Sequence, residues 1–317
     1  MIPRYERTFS LKRQLHFWTG QEYRPLKANE FLLNHARSGI VLSLRSCLPN
    51  GGCVGMIAYN CQSVVNSIIA SSCTPIFIDV TKDLTLDLDD LRTKSKFIEC
   101  IIVTNLLGIQ NDIIEIQSIC PDIPIIVDNA HGYALPPQGD FTVYSINQGK
   151  YPSLGDGGVL YCNNCKYLST IQTMYEELPD YTSNEQMNLY LRLLKNVFYS
   201  KLRTSFTWIR FSNMTRGNGR NSFSSIKIKK MSKGISRIYN DWINEHKNKI
   251  LKVRYMDIVY TDMPETTIEE YLEKGIEAGT LFKNWMDWAV KYGYSKGACP
   301  MSEYLTSHIV MIPNYYK

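Results

Sequence analysis

Two short segments hold side chains able to do acid–base and amine chemistry. In Ile125-Ile126-Val127-Asp128-Asn129-Ala130-His131-Gly132 an apolar run ends in a carboxylate, with a histidine three residues further on. Open α/β sheets bind ligands beyond the carboxyl ends of their strands, so an aspartate there can face one. Once buried it needs a partner, and a cationic ring nitrogen would keep it ionised. Capping of the following turn explains the same aspartate, and the segment alone leaves both readings open. The second segment is Val143-Tyr144-Ser145-Ile146-Asn147-Gln148-Gly149-Lys150, followed by Gly155-Asp156-Gly157-Gly158. A lysine just past a strand, on a glycine-flanked loop, can reach back over the sheet edge, where partial desolvation makes its amine a nucleophile. Taken singly these are weak signals: most loop lysines are merely solvated, and Gly-Asp-Gly-Gly alone reads as a hairpin turn.

Such placement needs a sheet. From Asn34 to Tyr161 short β-branched runs alternate with helical patterns, the grammar of a mostly parallel sheet covered by helices. Strands are expected at Val54–Ala58, Pro75–Asp79, Cys100–Thr104, Ile123–Asp128, Thr142–Ser145 and Gly158–Tyr161, each brief, apolar and bounded by Gly, Pro, Asp or Asn. Apolar residues at three- and four-residue spacing predict covering helices at Ser38–Leu48, Gln62–Ser72 and Ile113–Cys120. After Cys165 longer helical patterns take over, at Tyr167–Tyr175, at Asn184–Trp208 and from Met231 to about Val253. The polar, turn-rich Arg216-Gly217-Asn218-Gly219-Arg220-Asn221-Ser222 is the best boundary candidate. It divides the chain into a large domain, 1–215, and a small C-terminal α/β domain, 216–317.

The 317 residues, 44% hydrophobic and 21% charged, can bury a sizeable core and lie far from a disordered composition. The net charge of +5 is spread along the chain and requires no nucleic acid as partner. Its one concentration, Lys227, Lys229 and Lys230 near Arg216 and Arg220, reads as a solvated loop or as a site for a phosphate-bearing substrate. Nine cysteines, an odd number scattered through apolar runs, do not suggest a disulfide framework. Cys162 and Cys165 form half of a zinc pattern without a second pair, so no metal is expected. The charged N-terminal residues lack an apolar leader core, and no run of about 20 apolar residues occurs. The expectation is a protein of the reducing cytoplasm with no membrane span.

Combined, the motifs say more. Asp128 closes a strand, Ser145 lies five residues before Lys150, Lys150 lies five before Gly155-Asp156-Gly157-Gly158, and a polar helix starts at Ala36-Arg37-Ser38. With Ala58-Tyr59-Asn60-Cys61-Gln62-Ser63-Val64, the strand Thr74 to Val80, Asn105-Leu106-Leu107-Gly108 and Cys299-Pro300-Met301-Ser302-Glu303-Tyr304-Leu305, the chain resembles the DegT/DnrJ/EryC1/StrS family of sugar aminotransferases, pyridoxal-phosphate enzymes of fold-type I. The resemblance runs from about Asn34 nearly to the end and is thinnest over Lys166 to Lys230. It implies a mostly parallel mixed α/β sheet covered by helices, a smaller C-terminal α/β domain, and a homodimer with the cofactor near the subunit interface. It also implies transfer of an amino group from an amino acid, usually glutamate, to a keto group on a nucleotide-linked sugar for polysaccharide or glycan synthesis. Within it Lys150 matches the lysine that bonds covalently to pyridoxal phosphate and moves the proton during transfer. Asp128 matches the carboxylate paired with the pyridinium nitrogen. Arg37, Ser38 and Ser145 match phosphate-binding positions, and His131 falls beside the cofactor ring.

Departures from the family pattern accompany these matches. Cys61 occupies a cofactor-contacting position where relatives often stack an aromatic ring, with Tyr59 two residues away. His35-Ala36-Arg37 replaces a Ser-Gly-Thr, and the Arg37 charge compensates toward phosphate. Lys230-Met231-Ser232 is what remains of an Asn-x-Arg-Met-Ser segment that reaches the neighbouring subunit's cofactor, leaving Lys229 or Lys230 for that role. The chain stops soon after Pro313, where a helix usually follows in the family. Two alternatives remain: a sugar dehydratase, whose lysine position is histidine in relatives whereas this chain has Lys150, and a non-catalytic scaffold on the same fold.

Overall fold

The computed structural model describes residues 11–202, 226–247, 249, 251 and 256–313; the turn-rich stretch 216–222, with Arg216 and Arg220, and the residues after Pro313 lie outside them. Seven strands form the central sheet: β1 Glu30–Leu33, β2 Cys53–Ile57, β3 Thr74–Ile78, β4 Cys100–Thr104, β5 Ile125–Asn129, β6 Phe141–Ser145 and β7 Gly158–Cys162. Their order is β1-β7-β6-β5-β4-β2-β3. β7 runs against both its neighbours and every other pairing is parallel. Strands β4, β5 and β6 are buried at every position, which is why they read as unbroken apolar runs rather than as alternations. All six strands expected from the sequence are present, in the mostly parallel arrangement expected. β1, only four residues with an acidic first member, adds a seventh.

Helices fill both faces. Across one face α2 (Ala36–Cys47) packs on β6, β7 and β1, with α3 (Gln62–Ala70) and α6 (Cys165–Glu176) beside it. Helix α5 (Ile113–Ile119) links β4 to β5 as a crossover. The short α4 (Leu88–Lys94), marked by no apolar spacing, starts where the Asp87 carboxylate accepts from the Asp89 and Asp90 N–H groups. On the other face α1 (Leu11–Thr19), α7 (Ser183–Leu202) and α8 (Lys233–His246) cover the antiparallel side of the sheet. The buried residues of α8, Ile235, Ile238, Tyr239 and Trp242, recur at helical spacing, and the helix ends once that stripe stops. It is therefore shorter than the Met231 to Val253 pattern suggests.

The C-terminal segment is a small α/β unit. β8 (Met256–Tyr260) pairs antiparallel with β9 (Ile309–Pro313), and α9 (Pro264–Glu273), α10 (Trp285–Ala289) and α11 (Pro300–His308) complete it. Its aromatic residues share the main core: Tyr294 packs edge-to-face on Phe77 of β3 at 5.5 Å. A buried carboxylate fixes the docking. Asp79, just past β3, accepts from the N–H groups of Met301 (2.9 Å) and Ser302 (2.8 Å) and from the Ser302 hydroxyl (2.6 Å), capping α11 from across the chain.

Candidate active site

The parallel strands end together, and their last residues meet through side-chain amides. Asn60 Nδ2, beyond β2, donates to Thr104 Oγ1 of β4 at 2.9 Å, while Asn60 Oδ1 accepts from the Cys61 N–H at 2.7 Å. Asn105 Nδ2 donates to Asn129 Oδ1 at the end of β5 at 2.6 Å. These bonds clamp the carboxyl edge of the sheet into one rigid rim, where a doubly wound sheet holds its ligands.

Asp128, His131 and Lys150 come together on this rim. Asp128 stands between Thr104 and Val143 in the sheet register and is 4% exposed. Burial pushes its carboxyl above the usual range, against the Ala130 N–H it accepts at 2.9 Å and the charge of Lys150. His131 is buried too. Burial, reinforced by Lys150, drives its ring well below the usual histidine range, so it is neutral at pH 7. Its Nδ1 accepts from the Leu107 N–H at 3.3 Å, which places the ring proton on Nε2. Half-buried Lys150 thus acts electrostatically on both groups, from a loop folded back on itself by the bonds Lys150 N–H to Asn147 O (3.1 Å) and Leu154 N–H to Ile146 O (2.9 Å).

That loop closes against the start of α2. Gly158 pairs with Ser145 across β6 and β7, and a Cβ on Gly158 would lie 2.3 Å from the Ala36 nitrogen, so only glycine permits the contact. Asp156 is buried between His35 Nδ1 at 2.9 Å and Arg192 at 2.7 Å, and the Gly157 N–H donates to it at 3.0 Å. Burial works against its charge, but His35, Arg192 and that N–H together hold the carboxyl below the usual range. Arg37, in the first turn of α2, is half-buried. Burial lowers its pKa, opposed by Asp156, and among the described residues no hydrogen bond or ion pair engages its guanidinium.

The other expected residues divide. Ser145 closes β6, and its hydroxyl accepts from the Asn147 N–H at 3.4 Å, leaving its own proton to donate. Cys61 precedes α3 on the same rim, within electrostatic reach of Arg37, and its sulfur accepts from the Ser63 hydroxyl at 3.2 Å. The fully buried Ser38 hydroxyl turns inward to Asn34 Oδ1 at 2.7 Å, so that side chain is engaged within the fold. Lys229 bonds both Glu185 oxygens at 2.7 Å, and Lys230 donates to the Glu176 carbonyl at 3.2 Å, so both ammonium groups are held within this chain. Sequence pattern does not single out the cluster of His35, Asp156 and Arg192. A charge inside Gly-Asp-Gly-Gly is the available signal, since such a turn gives an aspartate a backbone N–H but no counter-charge of its own.

The rim therefore offers an amine, a buried carboxylate, a neutral imidazole and a guanidinium unengaged among the described residues, a set suited to amine transfer on an anionic, ring-bearing ligand. Residues 32–187 match the model of the DegT/DnrJ/EryC1/StrS aminotransferase family. That segment, close to half of the chain, belongs to the family. With membership come aminotransferase activity and pyridoxal phosphate as cofactor. Its fold is shared by solved aminotransferases at low identity. The sugar aminotransferase CalS13 of Micromonospora echinospora superposes with a TM-score of 0.64 at 15% identity, covering 99% of this chain and 94% of that one. PseC of Helicobacter pylori, an aminotransferase of pseudoaminic acid biosynthesis, gives 0.62 at 13% identity, with 98% and 92% covered. A Brucella abortus DegT/DnrJ/EryC1/StrS aminotransferase gives 0.60 at 14%, with 90% and 80% covered. No sequence among curated proteins matches the chain.

Proposed function

We propose that this aminotransferase moves an amino group from an amino acid, with glutamate as donor, to a keto group on a nucleotide-linked sugar, and that Lys150 and Asp128 hold its pyridoxal phosphate. The observation that carries the reading is the convergence of Lys150 with Asp128 and His131 at the ends of β5 and β6. A Streptococcus pneumoniae relative of the same fold, 16% identical with a TM-score of 0.64 over 98% of this chain and 93% of that one, is known in a PLP form, and the same protein in a PMP form. The sugar class rests on the family and on relatives such as CalS13. A role in polysaccharide or glycan synthesis, a cytoplasmic homodimer and a division into domains 1–215 and 216–317 belong to the same proposal.

The residues present fit the cofactor. Bound pyridoxal phosphate supplies an electron sink for the carbon that loses its proton. Asp128, ionised beside a ring nitrogen, holds a proton on that atom, and the resulting charge pair offsets the burial that raises its carboxyl in the free protein. Lys150 Nζ would hold the cofactor covalently and, once displaced by the substrate's amine, would carry the proton at the reacting carbon. His131, with its proton on Nε2, would offer a donor beside the cofactor ring. Arg37 and the start of α2, packed closely on Gly158, favour the phosphate, and the Ser145 hydroxyl donates to it.

The purified protein mixed with pyridoxal phosphate is expected to gain a visible absorbance band, which glutamate converts to the pyridoxamine spectrum and a panel of keto-sugar nucleotides reverses. Lys150→Ala should lose both changes. A protein that stays colourless, or a Lys150→Ala variant that keeps the band, overturns the reading.

A further inference from the structure

A flat, electron-poor ring held at its edges by Asp128 and Lys150 also needs a flat surface against its face, and stacking on an aromatic side chain provides one. Cys61 offers only a thiol. Phe282, far along the chain in the C-terminal unit, brings an aromatic ring to the same rim. It lies 6.2 Å from the His131 ring with an interplanar angle of 12°, and 5.5 Å from Tyr59 in an edge-to-face contact. One side chain thus touches the residues beyond both β2 and β5. Its backbone has φ +48°, the left-handed region that bulky residues rarely adopt. The turn is fixed by the buried Tyr59 hydroxyl donating to the Leu281 carbonyl at 2.6 Å and by the Trp285 N–H donating to the Phe282 carbonyl at 2.9 Å. A phenylalanine that merely filled the core would be fully buried in ordinary backbone. Phe282 packs against the main core but is only half-buried, and its backbone is left-handed.

We propose that Phe282 is the aromatic wall of the ring site, so that the C-terminal unit completes a pocket whose other groups come from the sheet. This rests on the reading that pyridoxal phosphate binds at Asp128 and Lys150. Titration of the apoprotein with pyridoxal phosphate, followed by visible absorbance and by the circular dichroism of the bound chromophore, tests it. Phe282→Leu keeps apolar bulk and removes the π face; its affinity is expected to fall about two- to tenfold, with a weaker dichroic band. Phe282→Tyr should bind as the unaltered protein does, and Cys61→Phe added to Phe282→Leu should restore affinity by supplying a ring from the residue before α3. Thermal unfolding of each apoprotein separates a misfolded variant from a weakly binding one. If Phe282→Leu matches the unaltered protein in affinity and dichroism, the wall is refuted while the cofactor reading stands. If the unaltered protein takes up no pyridoxal phosphate, the cofactor reading fails and the wall with it.

Discussion

His35 Nδ1 stands 2.9 Å from Asp156 Oδ1, and this contact joins the residue before α2 to the turn that closes the Lys150 loop. The other Asp156 oxygen meets Arg192 of α7 at 2.7 Å. One buried carboxylate therefore registers three pieces of chain around Lys150 and Arg37. His35 makes no side-chain cap to α2, so its ring is available for this contact.

Asp156→Asn keeps the shape and removes the charge. The apoprotein is expected to lose about 1–3 kcal/mol at pH 7, because a buried charged hydrogen-bond acceptor is lost beside two donors. The sign with pH follows from the lowered carboxyl. Its stabilisation is complete above the unfolded value near 4 and is lost as pH falls from there through the folded pKa. Urea unfolding of both proteins between about pH 2 and pH 7 checks this, with the gap expected to close in acid. Parallel pH profiles would contradict it.

Gly158→Ala adds a methyl where the Ala36 nitrogen lies 2.3 Å away and the His35 carbonyl carbon 2.4 Å. Both obstacles are backbone, so the start of α2 must move. A stability loss of about 1–3 kcal/mol is expected, together with weaker retention of pyridoxal phosphate on dialysis. Retention unchanged at reduced stability would show that the α2 start does not serve the phosphate.

The sheet was legible because burial on both faces leaves continuous apolar runs such as Ile125–Val127, and the strand-end residues followed from the strands. β1 is hidden in the sequence because Glu30–Leu33 is an edge segment whose acidic residue is buried beside Tyr23 and Tyr161 by tertiary packing. α1 depends likewise on partners remote in sequence: Arg13 pairs with Glu245 at 3.0 Å and His16 with Asp241 at 3.0 Å, both on α8. Within the candidate site, the placement of Asp128, His131 and Lys150 at or just past strand ends was readable from the strands, whereas their roles came from the family resemblance. Phe282 was not, since neither its left-handed backbone nor its approach to His131 leaves a local pattern.

Asp128→Asn should separate stability from function. Burial raises the Asp128 carboxyl in the apoprotein, so the folded chain holds that proton more tightly than the unfolded one. Stability from this group then declines as pH rises from about 4 through the raised value and stays lower above it. The variant, which still accepts from the Ala130 N–H, is expected to be at least as stable as the unaltered apoprotein at pH 7, with the difference vanishing in acid. Turnover should nevertheless fall on the order of a hundredfold or more, because the ring nitrogen loses its counter-charge. Thermal unfolding and steady-state rates at matched pH measure the two effects, and a clear loss of apoprotein stability at neutral pH would refute the sign.

Arg37→Ala asks whether the unengaged guanidinium serves a ligand or the fold. A half-buried cation with no ion pair among the described residues contributes little to the free protein, since desolvation opposes the attraction of Asp156. The apoprotein is therefore expected to unfold within about 0.5 kcal/mol of the unaltered one. Pyridoxal phosphate, in contrast, should dissociate faster, with affinity lowered about tenfold, as for loss of one charge-assisted contact to phosphate. Pyridoxal without its phosphate should bind both proteins equally. That comparison decides the matter, because an arginine acting only through the fold would weaken both ligands alike.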